Sequence, residues 1–355
     1  MKVLILGGTG AMGVHLVSLV ANQASRVVVT SRSRSGQAGN VEYITGNAKD
    51  ESFLANLLKQ HWDVIIDFMV YSTSSFQERY KQLLNASGQY IYLSSARVYA
   101  ESEQPITENS PRLLDVTNDQ TYLATDEYAL SKARQENLLF DHSQNNWTII
   151  RPYITYSDHR LQLGVLEKED WLYRALQGKT IVTSKDVQSK HTTLTFGEDV
   201  SRGILSILGK PGTQGEAFHI TSSVAISWAE VLETYMAVLE SHLSYCPKTS
   251  LQDLESFMKW RSGKYQIIYD RLYDRKFDNN KIDKYIDTSK FVTPQIGLAQ
   301  CLEHFINAEK PQFNSLNWKA EAIKDRMLHE HTSLAEISGL KQKVKYCLFR
   351  YLNIA

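Results

Sequence analysis

A chain of 355 residues with no net charge, 43% apolar and 22% charged residues is composed like an ordinary globular protein and is long enough for one large core or two joined ones. Neutrality removes the electrostatic case for nucleic acid or an anionic membrane as the main partner. No stretch approaches the roughly 18 uncharged apolar residues of a membrane span, and the apolar run Val3–Leu6 is too short for a secretory leader. Three scattered cysteines, Cys246, Cys301 and Cys347, suit a reducing compartment and offer no zinc-ligand spacing. The expectation is a cytoplasmic protein.

In chain order, β-branched runs at Val3–Leu6, Arg26–Thr30, Val41–Ile44, Asp63–Phe68, Gln89–Leu93 and Trp147–Ile150 predict strands. Met12–Gln23, Glu51–Gln60, Phe76–Ala86 and Ala124–Asp141 predict helices between them. Strands this apolar are buried on both faces, so the reading is α/β, with a doubly wound parallel sheet between helix layers. After Arg151-Pro152 the pattern loosens and aromatic residues increase, but Thr193–Gly209 and Ala217–Ile220 still read as sheet-domain material. The expected division is 1–152 plus 193–222 as a nucleotide-binding domain and 153–192 plus 223–310 as a smaller substrate domain. Residues 311–355 form a helical C-terminal extension in this reading. Its last sixteen residues, LKQKVKYCLFRYLNIA, put Leu340, Val344, Leu348 and Tyr351 on one helical face. That face is expected to dock on its own domain or a partner subunit, rather than on a membrane.

The segment LILGGTGAMG leaves the first strand and opens the first helix, with Gly7, Gly10 and Gly13 spaced as in a dinucleotide fingerprint. Gly7 permits a tight turn, Gly10 lets the backbone approach a pyrophosphate, and Gly13 lets helix and strand pack closely. Thr9, Ala11 and Met12 complete the loop, and the helix amino terminus offers N–H groups to phosphate. This is the Rossmann arrangement. An enzyme that uses NAD wants a carboxylate about 20 residues further on. Here VVVTSRSRS places Ser31, Arg32 and Arg34 there, and the first carboxylate is Glu42. A hydroxyl and a guanidinium suit a 2′-phosphate, so NADP is preferred over NAD.

QYIYLSSARVY, residues 89–99, is a buried strand ending in serines, and DEYALSKARQE follows at 126–136. Tyr128 and Lys132, four apart on a helix, share one face. A phenol titrates near 10 in isolation, and a neighbouring ammonium with an oxidised nicotinamide favours phenolate. Ser95 ends a central strand, where its hydroxyl can bond the reacting oxygen.

Taken together, GGTGAMG, DVIIDF, LSSARVY, Tyr128-x-x-x-Lys132, IIRPY at 149–153, LTFGEDVSRGI at 194–204, GEAFHITSS at 215–223 and FDNNKI at 277–282 resemble an extended short-chain dehydrogenase/reductase. The resemblance is to the nucleotide-sugar epimerase/dehydratase group and covers about residues 1–310. It implies that Tyr128 is the acid/base, Lys132 its modulator and Ser95 the group that polarises the sugar oxygen. It further implies that Asn47 and Ala48 lie near the adenine, that Phe68, Met69 and Pro152 border the cofactor together with Tyr128 and Lys132, and that the chain is a homodimer. Arg97 and His191 are the substrate candidates, His191 standing where related enzymes often place a basic residue facing phosphates. Arg160, Lys168 and Arg174 are further cations that could meet a diphosphate. Dehydratases of the group carry Asp-Glu directly after the serine or threonine; this chain has Ala96-Arg97, which argues against dehydration. The implied activity is 4-epimerisation or 4-keto reduction of a nucleotide sugar. The alternative is a non-catalytic cofactor- or RNA-binding member of the same fold. No metal site is expected, since His329 and His331 diverge on a helix without a third ligand.

Overall fold

In the computed structural model, which describes residues 1–309 and 312–352, the chain divides into two compact units. The first comprises 1–156, 193–225 and 275–294, and the second 157–192, 226–274 and 295–355.

The first unit is built on eight strands: β1 (Lys2–Leu6), β2 (Arg26–Ser31), β3 (Gly36–Ala38), β4 (Val41–Thr45), β5 (Trp62–Asp67), β6 (Ser87–Leu93), β7 (Trp147–Pro152) and β8 (Glu216–Ile220). They lie in the order β8-β7-β6-β5-β1-β2-β4-β3, and all pair in parallel except β3 against β4. Because β1 is flanked by β2 on one side and β5 on the other, the winding reverses there and leaves a crevice at the strands' carboxyl ends. Val3 and Ile5 pack into an apolar layer with α1 (Gly13–Ala21) residues Leu16, Val17 and Val20; Leu4 and Leu6 face the opposite layer with Ile65, Tyr90 and Tyr92. Both sheet faces are therefore dry, which explains why the strands read as continuous apolar runs.

Most helices follow the sequence pattern with shorter ends. Asp50 caps α2 (Glu51–Leu57) by accepting from Phe53 N at 2.9 Å. The single helix expected over Phe76–Ala86 is two, α3 (Thr73–Gln77) and α4 (Tyr80–Asn85). The break falls at Arg79, whose Nε donates to Ser75 O and whose guanidinium donates to Lys49 O. The helix expected from Ala124 begins at Tyr128, because Glu127 caps it by accepting from Ala129 N; this is α5 (Tyr128–Phe140). The last α-helix of the unit, α6 (Gly197–Ile207), packs on α1 and also meets β8, where a Cβ on Gly203 would stand 2.5 Å from Ile220.

Two expected boundaries move. Residues 275–294 belong to the first unit: Arg275 donates to the carbonyls of Tyr99 and Ala100, Asn279 bonds Thr221 and Thr288, and Asp199 accepts from Val292 N. The C-terminal stretch is not a separate extension but part of the second unit. There Arg174, on the helix Lys168–Leu176, is fully buried against Glu321, Asp325 and Glu330. Lys179 and Tyr346 also bind Asp325, and Trp171 stacks on Tyr235 at 4.5 Å. Of the expected extension 311–355, residues 311 and 353–355 lie outside the described residues. Among the described residues, no helix is long and apolar enough to cross a membrane.

Candidate active site

The glycine loop has the geometry its residues call for. Gly7 takes φ +72°, a conformation that favours glycine, and its N–H donates to Thr30 Oγ1 at 3.0 Å. A Cβ on Gly13 would stand 2.6 Å from the Gly8 backbone, so only glycine allows helix and loop to meet this closely. A Cβ on Gly10 would meet nothing within 4 Å, because that residue borders an open cleft of about 610 Å³.

Gly7, Thr9, Gly10, Ser31, Arg32, Asn47, Ala48, Phe68 and Met69 all line this cleft, joined by Thr30, Gly46, Lys49 and Val70. Ala11, Met12, Gly13, Tyr128, Lys132 and Pro152 are not in its walls. The Met12 carbonyl accepts from Ser201 Oγ of α6 at 2.8 Å, and a Cβ on Gly197 would stand 2.6 Å from Ala11 O. Pro152 ends β7, paired to Ile220. Among the described residues, the cleft's charged side chains are Arg32 and Lys49, and no carboxylate lines it. Ser31 Oγ accepts from the N–H groups of Ser33 and Arg34 and thereby shapes the turn. Arg34 is placed differently: its guanidinium lies 3.7 Å over the Tyr43 ring. Thus an open cradle at Gly10, a capped turn at Ser31 and a cationic rim match a dinucleotide's phosphates in donor chemistry.

Ser95, Tyr128 and Lys132 gather at the carboxyl end of β6. Lys132 is buried, donates from Nζ to Leu93 O at 2.6 Å, and holds its ammonium 6.0 Å from the Tyr128 ring centroid. Burial pushes this ammonium down to about 8, against the pull of Asp67 and Glu136. Ser95 Oγ accepts from Arg97 N at 3.2 Å, and Tyr128 is the first residue of α5. Arg97 stands 5.2 Å over the Tyr128 ring and pairs with Glu127 at 2.7 Å. Two cationic side chains thus lie within 6 Å of one phenol ring, Arg97 shared with Glu127.

Three acids that the sequence analysis passed over hold this arrangement. Asp67, at the end of β5, is fully buried and accepts from Met69 N, Tyr90 OH and Tyr71 OH; burial raises its pKa. Its position after an apolar strand in DVIIDF was the available signal. Glu127 fixes Arg97 and also accepts from Tyr122 OH. Glu136, one turn beyond Lys132, accepts from Ser94 Oγ at 2.6 Å, from Arg151 at 2.8 and 2.9 Å, and from Arg112 at 3.2 Å. It bolts α5 to β7, and nothing in the local sequence distinguishes it from a surface glutamate.

The second-unit candidates are otherwise engaged. The backbone N–H and Nδ1 of His191 both bond Asp274 Oδ1, at 2.7 and 3.1 Å, and the ring is half-exposed. Arg174 and Lys168 are buried in ion pairs, which removes them as free phosphate ligands. Arg160 lies in the turn with Ser157. Glu330 of the His329-Glu330-His331 run is committed to Arg174 and Thr180.

Residues 3–221 match the model of the NAD dependent epimerase/dehydratase family. The chain is 24% identical over 245 residues to the chloroplast stem-loop binding protein of 41 kDa b of Arabidopsis thaliana, a match covering 64% of this chain and 60% of that one. Its fold is similar to that of an epimerase from Methanothermobacter thermautotrophicus (TM-score 0.66, 16% identity, 86% of this chain and 92% of that one covered). It is similar also to UDP-glucuronic acid 4-epimerase from Bacillus cereus, solved in complex with NAD (TM-score 0.64, 17% identity, 88% and 99% covered). On the family match, with the glycine loop and the doubly wound sheet behind it, this chain belongs to the NAD dependent epimerase/dehydratase family.

Proposed function

We propose that the chain carries out NAD(P)-dependent oxidoreduction at carbon 4 of a nucleotide-activated sugar, as a 4-epimerase or 4-keto reductase. The observation that carries this reading is the buried Lys132 ammonium beside Tyr128, at the end of the strand that leads into Ser95. The bound dinucleotide supplies the hydride acceptor and donor. Tyr128 takes up or returns the proton of the sugar's 4-hydroxyl, Ser95 hydrogen-bonds the same oxygen, and Lys132 with Arg97 stabilises the phenolate. Gly7, Gly10 and the start of α1 receive the pyrophosphate. Arg32 and Lys49, with no carboxylate among the described residues that line the cleft, support NADP over NAD as the preferred cofactor.

A second reading, a non-catalytic member that binds RNA, draws support from the likeness to the stem-loop binding protein. Zero net charge and a complete Ser95-Tyr128-Lys132 set weigh against it. The family resemblance supports a homodimer, checked by light scattering, and the three unpaired cysteines support a cytoplasmic setting.

The test mixes the purified protein with a panel of nucleotide sugars, with and without NADPH, following nicotinamide absorbance and sugar products. Steady NADPH loss with one 4-keto sugar identifies a reductase; a changed sugar without net loss identifies an epimerase. Tyr128→Phe abolishes turnover in either case, with cofactor affinity retained. Silence across the panel, together with RNA binding indifferent to Tyr128→Phe, would overturn the proposal.

A further inference from the structure

The helix Leu340–Tyr351 docks through residues other than its most regular apolar stripe. Tyr346 is buried, donating to Asp325 at 2.7 Å and accepting from Thr332 N at 2.9 Å, while Phe349 lies under Lys319 Nζ at 4.4 Å. Cys347 and Phe349 pack with Tyr173, Trp318 and Ile337 in the same cluster. Leu340, Val344, Leu348 and Tyr351, the stripe expected to dock, are instead between 40% and 77% exposed, as is Leu352.

Charge is arranged around that stripe. At 100° per residue, Lys341 and Lys345 flank one side of it and Lys343 the other, while Arg350 is turned to the fold, donating to Glu330 O at 2.9 and 3.2 Å; the helix carries no acidic residue. Arg326, donating to Leu352 O at 2.8 Å, adds a cation at its carboxyl end. A protein that is neutral as a whole thus concentrates positive charge along the edges of one apolar strip. Lysines in these positions extend their stems along apolar surface while their ammonium groups reach outward.

We infer that this helix is an interfacial anchor that lays its exposed apolar stripe on an anionic lipid bilayer, with the flanking cations at the headgroup level. A second copy of the chain is the poorer occupant: a two-fold contact sets the patch against itself, bringing its cations to face their own copies. Nucleic acid would use the cations and leave the leucines without purpose.

The experiment is flotation of the full-length protein with vesicles of phosphatidylcholine alone or with one-third phosphatidylglycerol. The expected result is co-flotation with the anionic vesicles only, weakened by added salt. Lys341→Gln with Lys345→Gln lowers the partition coefficient roughly 30-fold, and Leu340→Ser with Leu348→Ser lowers it at least about tenfold. All four positions face solvent or its edge, so melting temperature and cofactor titration stay at wild-type values. Absence of any anionic preference, or flotation undiminished in the serine variant, overturns the assignment. So does a wild-type dimer that the serine variant splits, which hands the stripe to a second copy. RNA binding lost with the lysines but kept by the serine variant also overturns it.

Discussion

Removing Glu136 tests whether the helix that carries Tyr128 and Lys132 is held by a buried charge cluster. Glu136 has no exposure and accepts four hydrogen bonds, three of them from the guanidiniums of Arg151 and Arg112. In Glu136→Ala, Arg151 stays buried on β7 with only Tyr99 OH and Glu108 O, each at 3.0 Å. An uncompensated buried cation of this kind costs about 3–5 kcal/mol. For a unit of roughly 200 residues that corresponds to a drop of about 6–20 °C in melting temperature. Calorimetric melts at neutral pH measure it. Replacing the pair together, Glu136→Leu with Arg151→Met, removes the stranded charge, and apolar substitutes at buried ion pairs are often neutral. The double variant should therefore melt well above Glu136→Ala. A loss below about 1 kcal/mol in the single variant, or a double variant as unstable as the two singles summed, would refute the cluster as the bolt.

The loop glycines separate folding from binding. Gly13→Ala drives a methyl into the Gly8 backbone and should lower both melting temperature and cofactor affinity, whereas Gly10→Ala, with open space before it, should leave the melt unchanged and weaken NADPH binding at least about tenfold. Arg32→Gln should weaken NADPH by roughly ten- to a hundredfold in fluorescence titration while NADH shifts little; equal loss for both would remove the 2′-phosphate argument. Lys132 gives two opposite pH signs. Its ammonium sheds its proton near pH 8 in the folded protein and near 10.5 when unfolded, so the unfolded chain binds more protons in that window. Stability relative to Lys132→Met should then rise from pH 8 upward, by up to about 3 kcal/mol, while turnover, which the proposed mechanism makes dependent on the cation, should fall over the same range.

Much of the first unit was legible because its strands are two-sided. β1, β2, β4, β5, β6, β7 and β8 all lie within two residues of their apolar runs. β3 was missed, since Gly36–Ala38 is exposed and carries no pattern. The shape of the glycine loop was readable because a turn at φ +72° and a 2.6 Å backbone approach leave glycine no substitute. That Tyr128 and Lys132 stand together was readable because helical periodicity alone puts them on one face.

What remained hidden was set by partners far along the chain. Asp67, Glu127 and Glu136 are ordinary acids in sequence, and only folding brings them to Tyr90, Arg97 and Arg151. The amphipathic helix Leu340–Tyr351 shows the same division. Periodicity determined that it has two faces, but the docked face was decided by Tyr346, whose hydroxyl finds Asp325 in the buried charge network. Local spacing specifies the face a residue occupies; which face is buried depends on what the rest of the chain offers it, and that is a property of the tertiary structure alone.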